Sequence, residues 1–180
     1  DYIASLLELA KQDDPQGAAQ RILALETKLA EKQWERARNR DRNATYNKFT
    51  QAELAKLSKF DWTGFFDAAG VANPGDVIVR QPDYLQSLDA IAGDTPIGTW
   101  KEYMTFGLLH EFAAVLPRDF VAANFKFSGK TIAGAQEIRS RDKRAVSAAE
   151  GAIGEAVGQL YVEKHFPPDA KEKMLELVEN

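Results

Sequence analysis

The sequence predicts an all-α fold, a multi-helix array with one isolated short strand. Three observations carry that prediction. Apolar residues recur at steps of three and four through several long stretches, helix start and stop signals punctuate them, and only one run, Asp76 to Arg80, is rich in β-branched residues.

The helices follow in chain order. The first runs through ASLLELAKQ and stops at Asp13-Asp14-Pro15, because proline lacks an N–H and disfavours helix in the residue before it. Asp14 then caps a second helix with Pro15 in its first turn, and this long helix reaches about Arg40. Ala19, Ile22, Leu23, Leu25, Leu29 and Trp34 form its apolar stripe. Its last turns carry Arg36, Arg38, Arg40 and Arg42, cations suited to the negative carbonyl end of a helix. Thr50 and Glu53 make a capping box, a hydroxyl at the cap and a carboxylate three residues on, which opens a helix to about Leu57. Asp61 caps another, ended by Gly70 in the left-handed conformation. Asn73-Pro74-Gly75 is a turn. The run Asp76 to Arg80 is a strand whose partner is not visible in this sequence.

Pro82 starts a helix ended by Gly93, and Thr95-Pro96 starts the next. That next helix, through Trp100, Met104, Leu108, Phe112 and Leu116, is strongly apolar and reads as central. A further helix spans Asp119 to Phe127, followed by Ser128-Gly129. The last long helix runs from about Ala135 to Phe166, is broken by Pro167-Pro168, and gives way to a terminal helix from Asp169. Within it Gly151, Gly154 and Gly158 interrupt a run of alanines. Mid-helix glycine costs about 0.8–1.0 kcal/mol relative to alanine, so three of them predict another helix packed closely on that face.

Composition narrows the function. The chain of 180 residues suits one domain, 1–180, with 44% hydrophobic and 28% charged residues and a net charge of −4. That balance argues against a general affinity for nucleic acid. No apolar run approaches the ~20 residues that cross a bilayer. There is no cysteine, which excludes thiolate chemistry and disulfides. A start at Asp1 with no Met and no signal-peptide pattern reads as a segment of something longer or as a processed N-terminus.

The residues that could carry chemistry do not assemble into a site. His110-Glu111 begins like HExxH, in which two histidines one helical turn apart hold zinc, but the fifth position is Ala114 and the only other histidine is His165. Gly129, Lys130 and Gly134 are in the wrong order for a phosphate loop and read as a flexible connection between helices. Asn43-Ala44-Thr45 fits the glycosylation pattern, a frequent chance match. Arg139, Arg141, Lys143 and Arg144 are offset by Glu137 and Asp142 and read as a solvated face. The ten Phe, five Tyr and three Trp follow helical spacing and read as core. The residues therefore predict no catalytic, cofactor-binding or metal site in this chain.

Three segments, in order, resemble the neprilysin-like zinc metallopeptidases. They are TYNKFTQAELAKLSKFDW (Thr45 to Trp62), VIVRQPDYLQSL (Val77 to Leu88) and GEAVGQLYVEKHFPPDAKEKMLELVEN (Gly154 to Asn180). The resemblance implies a segment of the helical, non-catalytic lobe of a larger metalloendopeptidase. In that family such a lobe faces a zinc-bearing catalytic lobe across a cavity and restricts substrates to small peptides. The catalytic motifs would lie beyond this segment, so no catalytic or metal residue carries over, and Asn43-Ala44-Thr45-Tyr46 is wrongly placed for the family's substrate-binding segment. The implied cofactor is zinc in the parent enzyme and none here. The implied partners are the parent's catalytic lobe and its peptide substrates, with no nucleic acid and no membrane span. The implied setting is periplasmic or extracellular, the cytoplasm being the alternative. The rival reading is a stand-alone helical protein-interaction module without enzymatic activity.

Overall fold

The structure, a computed structural model, describes residues 1–179 apart from Ala72, and the side chains of Lys171 and Glu179 also fall outside the description. Asn180, the end of the third family-like segment, is not among the described residues. The fold is all-helical. Its α-helices are α1 (Tyr2–Leu9), α2 (Pro15–Lys32), α3 (Arg36–Arg40), α4 (Gln51–Leu57), α5 (Trp62–Ala68), α6 (Pro82–Asp94), α7 (Ile97–Phe112), α8 (Arg118–Asn124), α9 (Arg141–His165) and α10 (Pro168–Glu179). The strands are β1 (Lys48–Phe49) and β2 (Val77–Ile78), and a π-helical stretch covers Phe125–Ile132.

Two compact parts divide the chain, Asp1–Phe127 and the part from Ser128 onward. The core of the first begins with the polar signals that start its helices. Asp14 caps α2 by accepting from the Gly17 N–H at 3.1 Å, with Pro15 in the first turn. That start directs Ala18, Ile22, Leu25 and Leu29 inward. Leu7 of α1 closes on Ala18 and Ile22, and Tyr103, Phe106 and Leu109 of α7 pack against the same cluster. Each fully buried Leu or Ile here stabilises the fold by about 1.5–3 kcal/mol. Arg21 of α2 grips Glu102 of α7 with two hydrogen bonds, at 2.6 and 2.9 Å. Helix α1 also packs on α8, and α2 on α6.

Leu54 of α4 is fully buried, and α4 packs on α5, α6 and β1. The Thr50 box is complete: the hydroxyl accepts from the Glu53 N–H, and the Glu53 carboxylate accepts from the Thr50 N–H at 2.9 Å. Asp89 of α6 fixes the other end of α4, accepting from the Ser58 hydroxyl at 2.8 Å and the Lys59 N–H at 2.6 Å. Asp61 caps α5, and the chain leaves α5 through Gly70 at φ 72°, as its position predicts.

Several expectations are corrected. The strand has its partner within the chain: β2 pairs antiparallel with β1, Lys48 opposite Ile78 and Phe49 opposite Val77. Lys48 Nζ also meets Asp76 at 2.7 Å. Helix α2 ends at Lys32 rather than Arg40, because the Trp34 N–H is taken by the Gln81 side chain at 2.8 Å instead of by a helical carbonyl. Leu23 is 61% exposed and so lies off the buried stripe. In α7 the buried side is that of Thr99, Tyr103, Phe106 and Leu109, while Met104, Leu108 and Phe112 are exposed. Finally, α9 begins at Arg141 rather than Ala135.

In the second part, α9 departs from helical geometry at Ile153, with φ −134° and ψ 28°. A Cβ built on Gly151, Gly154 or Gly158 meets no atom within 4 Å among the described residues, so the close-packed glycine face is not found there.

Candidate functional site

Among the described residues of the first part, a concave surface lies on the flank of α7. It is a groove of about 460 Å³ lined by Glu26 of α2 and by Tyr103, Met104, Phe106, Gly107, Leu108 and His110 of α7. Its walls are mostly apolar, with Glu26, His110 and Tyr103 as the charged or titratable groups. The Tyr103 hydroxyl donates to Glu26, and burial, followed by that hydrogen bond, pushes the Tyr103 phenol up.

His110 is exposed, and its ring is held by neighbouring side chains. Its Nδ1 lies 2.9 Å from the Tyr2 hydroxyl, and that hydroxyl donates to Asn124 Oδ1 at 3.2 Å. A phenol has one proton, so with that proton given to Asn124 the bond to His110 requires the proton on Nδ1. The imidazole stacks on Phe106 at 5.8 Å and meets the Tyr2 ring edge-on at 5.6 Å. The Tyr2 ring in turn stacks on Phe127 at 4.5 Å, and burial raises the Tyr2 phenol. The knot ties α1, α7 and α8 together. It contains no carboxylate or second imidazole, and Glu111 is exposed.

A zinc ion does not fit these residues. A catalytic zinc needs three protein ligands. Among the described residues no group of three or more His, Cys, Asp or Glu could hold a metal. His165, in the last turn of α9, lies against Tyr161 at 4.9 Å.

The remaining candidates have local roles. Gly129 and Lys130 sit inside the π-helical stretch rather than in a flexible loop. Gly134, at φ 69°, closes that stretch, with the Ala135 N–H donating back to the Gly129 carbonyl at 2.9 Å. Arg139 donates to the Ser147 hydroxyl at 3.2 Å, and Arg144 to the Arg139 carbonyl at 3.1 Å. Asn43 and Ala44 donate their N–H groups to Asp41 in the loop after α3. Arg38 lies 3.4 Å above the Trp34 ring, and the Trp34 indole donates to Asp83 of α6 at 2.5 Å.

Two features escaped the sequence reading. The groove was hidden because α7 is apolar on two sides, so periodicity does not say which side is covered. The Tyr2–His110–Asn124 knot joins residues more than a hundred positions apart, and no local pattern signals it. In addition, the aromatic cluster of Phe60, Trp62, Phe65 and Phe66 leaves Phe60 and Phe65 about half exposed, so it is only partly core. No described helix is long and apolar enough to cross a membrane.

Fold and groove define a helical segment, and its relatives say of what. Residues 1–180 match the N-terminal region of peptidase family M13, and the chain belongs to that family. The neutral endopeptidase of Lactobacillus helveticus is 31% identical over 179 residues, which is 98% of this chain and 28% of that protein. Endothelin-converting enzyme 1 of Rattus norvegicus is 26% identical over 188 residues, 98% of this chain and 25% of that protein. Among solved structures, the zinc metalloprotease of Mycobacterium tuberculosis in its open state superimposes with a TM-score of 0.87 at 38% identity, covering 99% of this chain and 28% of that one. The chain therefore spans between 25% and 28% of the length of these relatives. It corresponds to the N-terminal domain of M13 zinc metalloproteases, in agreement with the family resemblance of its three segments.

Proposed function

We propose that this chain is a non-catalytic lobe of an M13 zinc metalloendopeptidase, capping the active-site cavity and restricting substrates to small peptides. The observation that carries the reading is its match, over nearly all its length, to about a quarter of a zinc metalloprotease, by a segment whose described residues offer no metal cluster. Zinc chemistry then belongs to the rest of the polypeptide. This segment contributes a rigid helical wall, pinned by the Arg21–Glu102 grip and the Tyr2 knot. The same tuberculosis protease is known in an open state and in a partially open state, which accords with a lobe that moves relative to the chemistry. A wall acts by steric exclusion: a short peptide enters a closed chamber, while a folded protein cannot reach the metal.

The test is hydrolysis by a family-length enzyme carrying this segment, across a ladder of peptides sharing one cleavage sequence and a folded protein displaying it in a loop. Gating predicts a steep fall in kcat/KM beyond a limiting size and no cleavage of the folded protein. A rate independent of size would leave a purely structural lobe as the better reading.

A further inference from the structure

Helix α3 and the loop after it carry Arg36, Arg38, Arg40 and Arg42, all exposed. Placement at the carbonyl end of a long α2 does not account for them. Helix α2 stops at Lys32, and Arg36 opens α3, where the helix dipole disfavours a cation. Residues 35–42 hold four arginines against two acids, a net charge of +2 within a chain whose total is −4. The fold adds a fifth arginine that the local sequence does not show. Arg80, beyond β2, donates to the Asn39 carbonyl at 3.1 Å, which brings its guanidinium to α3. Arg38 lies over the Trp34 ring, 3.5 Å from Asp83. Arg36 and Arg40, four residues apart, share a face of α3. Among the described residues, neither they nor Arg42 have a side-chain hydrogen bond or ion pair.

We propose that this arginine fringe is a peripheral docking surface for an anionic phospholipid bilayer, through the phosphates of its headgroups. Charge complementarity argues the partner. A guanidinium fork offers two parallel N–H groups to phosphate oxygens, a match that a lysine ammonium does not make. A protein partner would need an apolar centre to its contact, and the one apolar side chain in residues 35–42 is Ala37. Single-stranded nucleic acid would stack its bases on an aromatic face, and the face of Trp34 is covered by Arg38. A bilayer surface asks only for charge, and each basic side chain beside it strengthens binding about fivefold. At physiological salt the Debye length is about 8 Å, so the fringe acts on a surface it touches despite the negative total. The inference makes no use of the proposed function's claim about substrate size.

The test is co-sedimentation of a family-length protein carrying this segment with phosphatidylcholine vesicles, with and without phosphatidylserine. Binding should require phosphatidylserine, and it should be lost as ionic strength rises from about 0.1 to about 1 M and the Debye length shrinks to about 3 Å. Arg36→Gln combined with Arg40→Gln should weaken binding more than about tenfold. These two side chains hold nothing in the fold, so circular dichroism and Tm should be unchanged. Arg141→Gln combined with Lys143→Gln removes as much charge from the cluster offset by Glu137 and Asp142. It should alter binding by less than about twofold. No binding to phosphatidylserine vesicles, equal binding to neutral ones, or equal losses from the two pairs of substitutions would overturn the proposal. Two competitors decide the source of the phosphate. Displacement of the vesicles by inorganic phosphate at matched phosphate concentration would assign the fringe to a free anion and overturn it. Displacement by single-stranded RNA at matched phosphate would assign it to nucleic acid, with the same consequence. Peptide hydrolysis is not read, so loss of the gating account leaves this result standing.

Discussion

The Tyr2 hydroxyl lies 2.9 Å from Nδ1 of His110, which makes the histidine of the HEFAA segment a structural partner of the first helix. Tyr2→Phe removes that bond and the one to Asn124 while keeping the ring stack on Phe127. It should cost about 0.5–1.5 kcal/mol for each net hydrogen bond lost. Tyr2→Ala, which also forfeits the ring packing, should cost clearly more. Denaturant unfolding of the three proteins checks the order; Tyr2→Phe as damaging as Tyr2→Ala would show that the ring contributes little.

Ile22 and Leu23 are neighbours in sequence with opposite surroundings, fully buried and 61% exposed. Ile22→Ala should destabilise by about 2–5 kcal/mol. Leu23→Ala should stay within about 0.5 kcal/mol. Comparable losses from chemical denaturation would mean that the face of α2 is wrongly assigned.

The contacts among Trp34, Arg38 and Asp83 hold α3 against α6. Removing the carboxylate in Asp83→Ala should free the segment that carries Arg36, Arg38, Arg40 and Arg42. Limited trypsin digestion is the readout, with faster cleavage within residues 36–42 expected and the rest of the pattern unchanged. A pattern identical to that of the parent chain would show that α3 is held by other contacts.

Hydrogen bonding from the Thr50 N–H, and then from its hydroxyl, lowers the Glu53 pKa. A carboxyl whose folded value is depressed stabilises the fold above its unfolded value, and the contribution is lost as pH falls through the folded one. Stability should therefore decline below pH of about 4.5. Glu53→Gln, which retains capping-box geometry, should flatten part of that decline. Denaturation midpoints of both proteins through the acid range decide it, and parallel curves would remove Glu53 from the account.

The elements legible in the sequence were those whose signals are local. Asp14-Pro15, the Thr50-Glu53 box, Asp61 and Gly70 set chain ends through side chains or backbone angles within a few residues, and the structure has each in place. The failures were tertiary. Nothing in the residues around Gln33 announces a break; the helix stops there because Gln81 and Asp83, far along the chain, capture Trp34. A two-residue strand such as Lys48-Phe49 has no pattern to detect, so the partner of Val77-Ile78 went unseen. In α7 the pattern predicts a strongly apolar helix but does not say which side is covered; Thr99, Tyr103, Phe106 and Leu109 face the core, while Met104, Leu108 and Phe112 are exposed. The groove followed from that side, and so it too was illegible.

The central claim is that this segment supplies a wall and the rest of an M13 chain supplies the chemistry. Zinc content and hydrolysis of a short peptide, measured side by side on the purified 180-residue chain and on a family-length protein carrying it, test that claim most directly. The account predicts a folded, helical shorter chain with no zinc above background and no turnover, and a longer chain with both. Stoichiometric zinc on the shorter chain, lost in His110→Ala together with peptide hydrolysis, would contradict it.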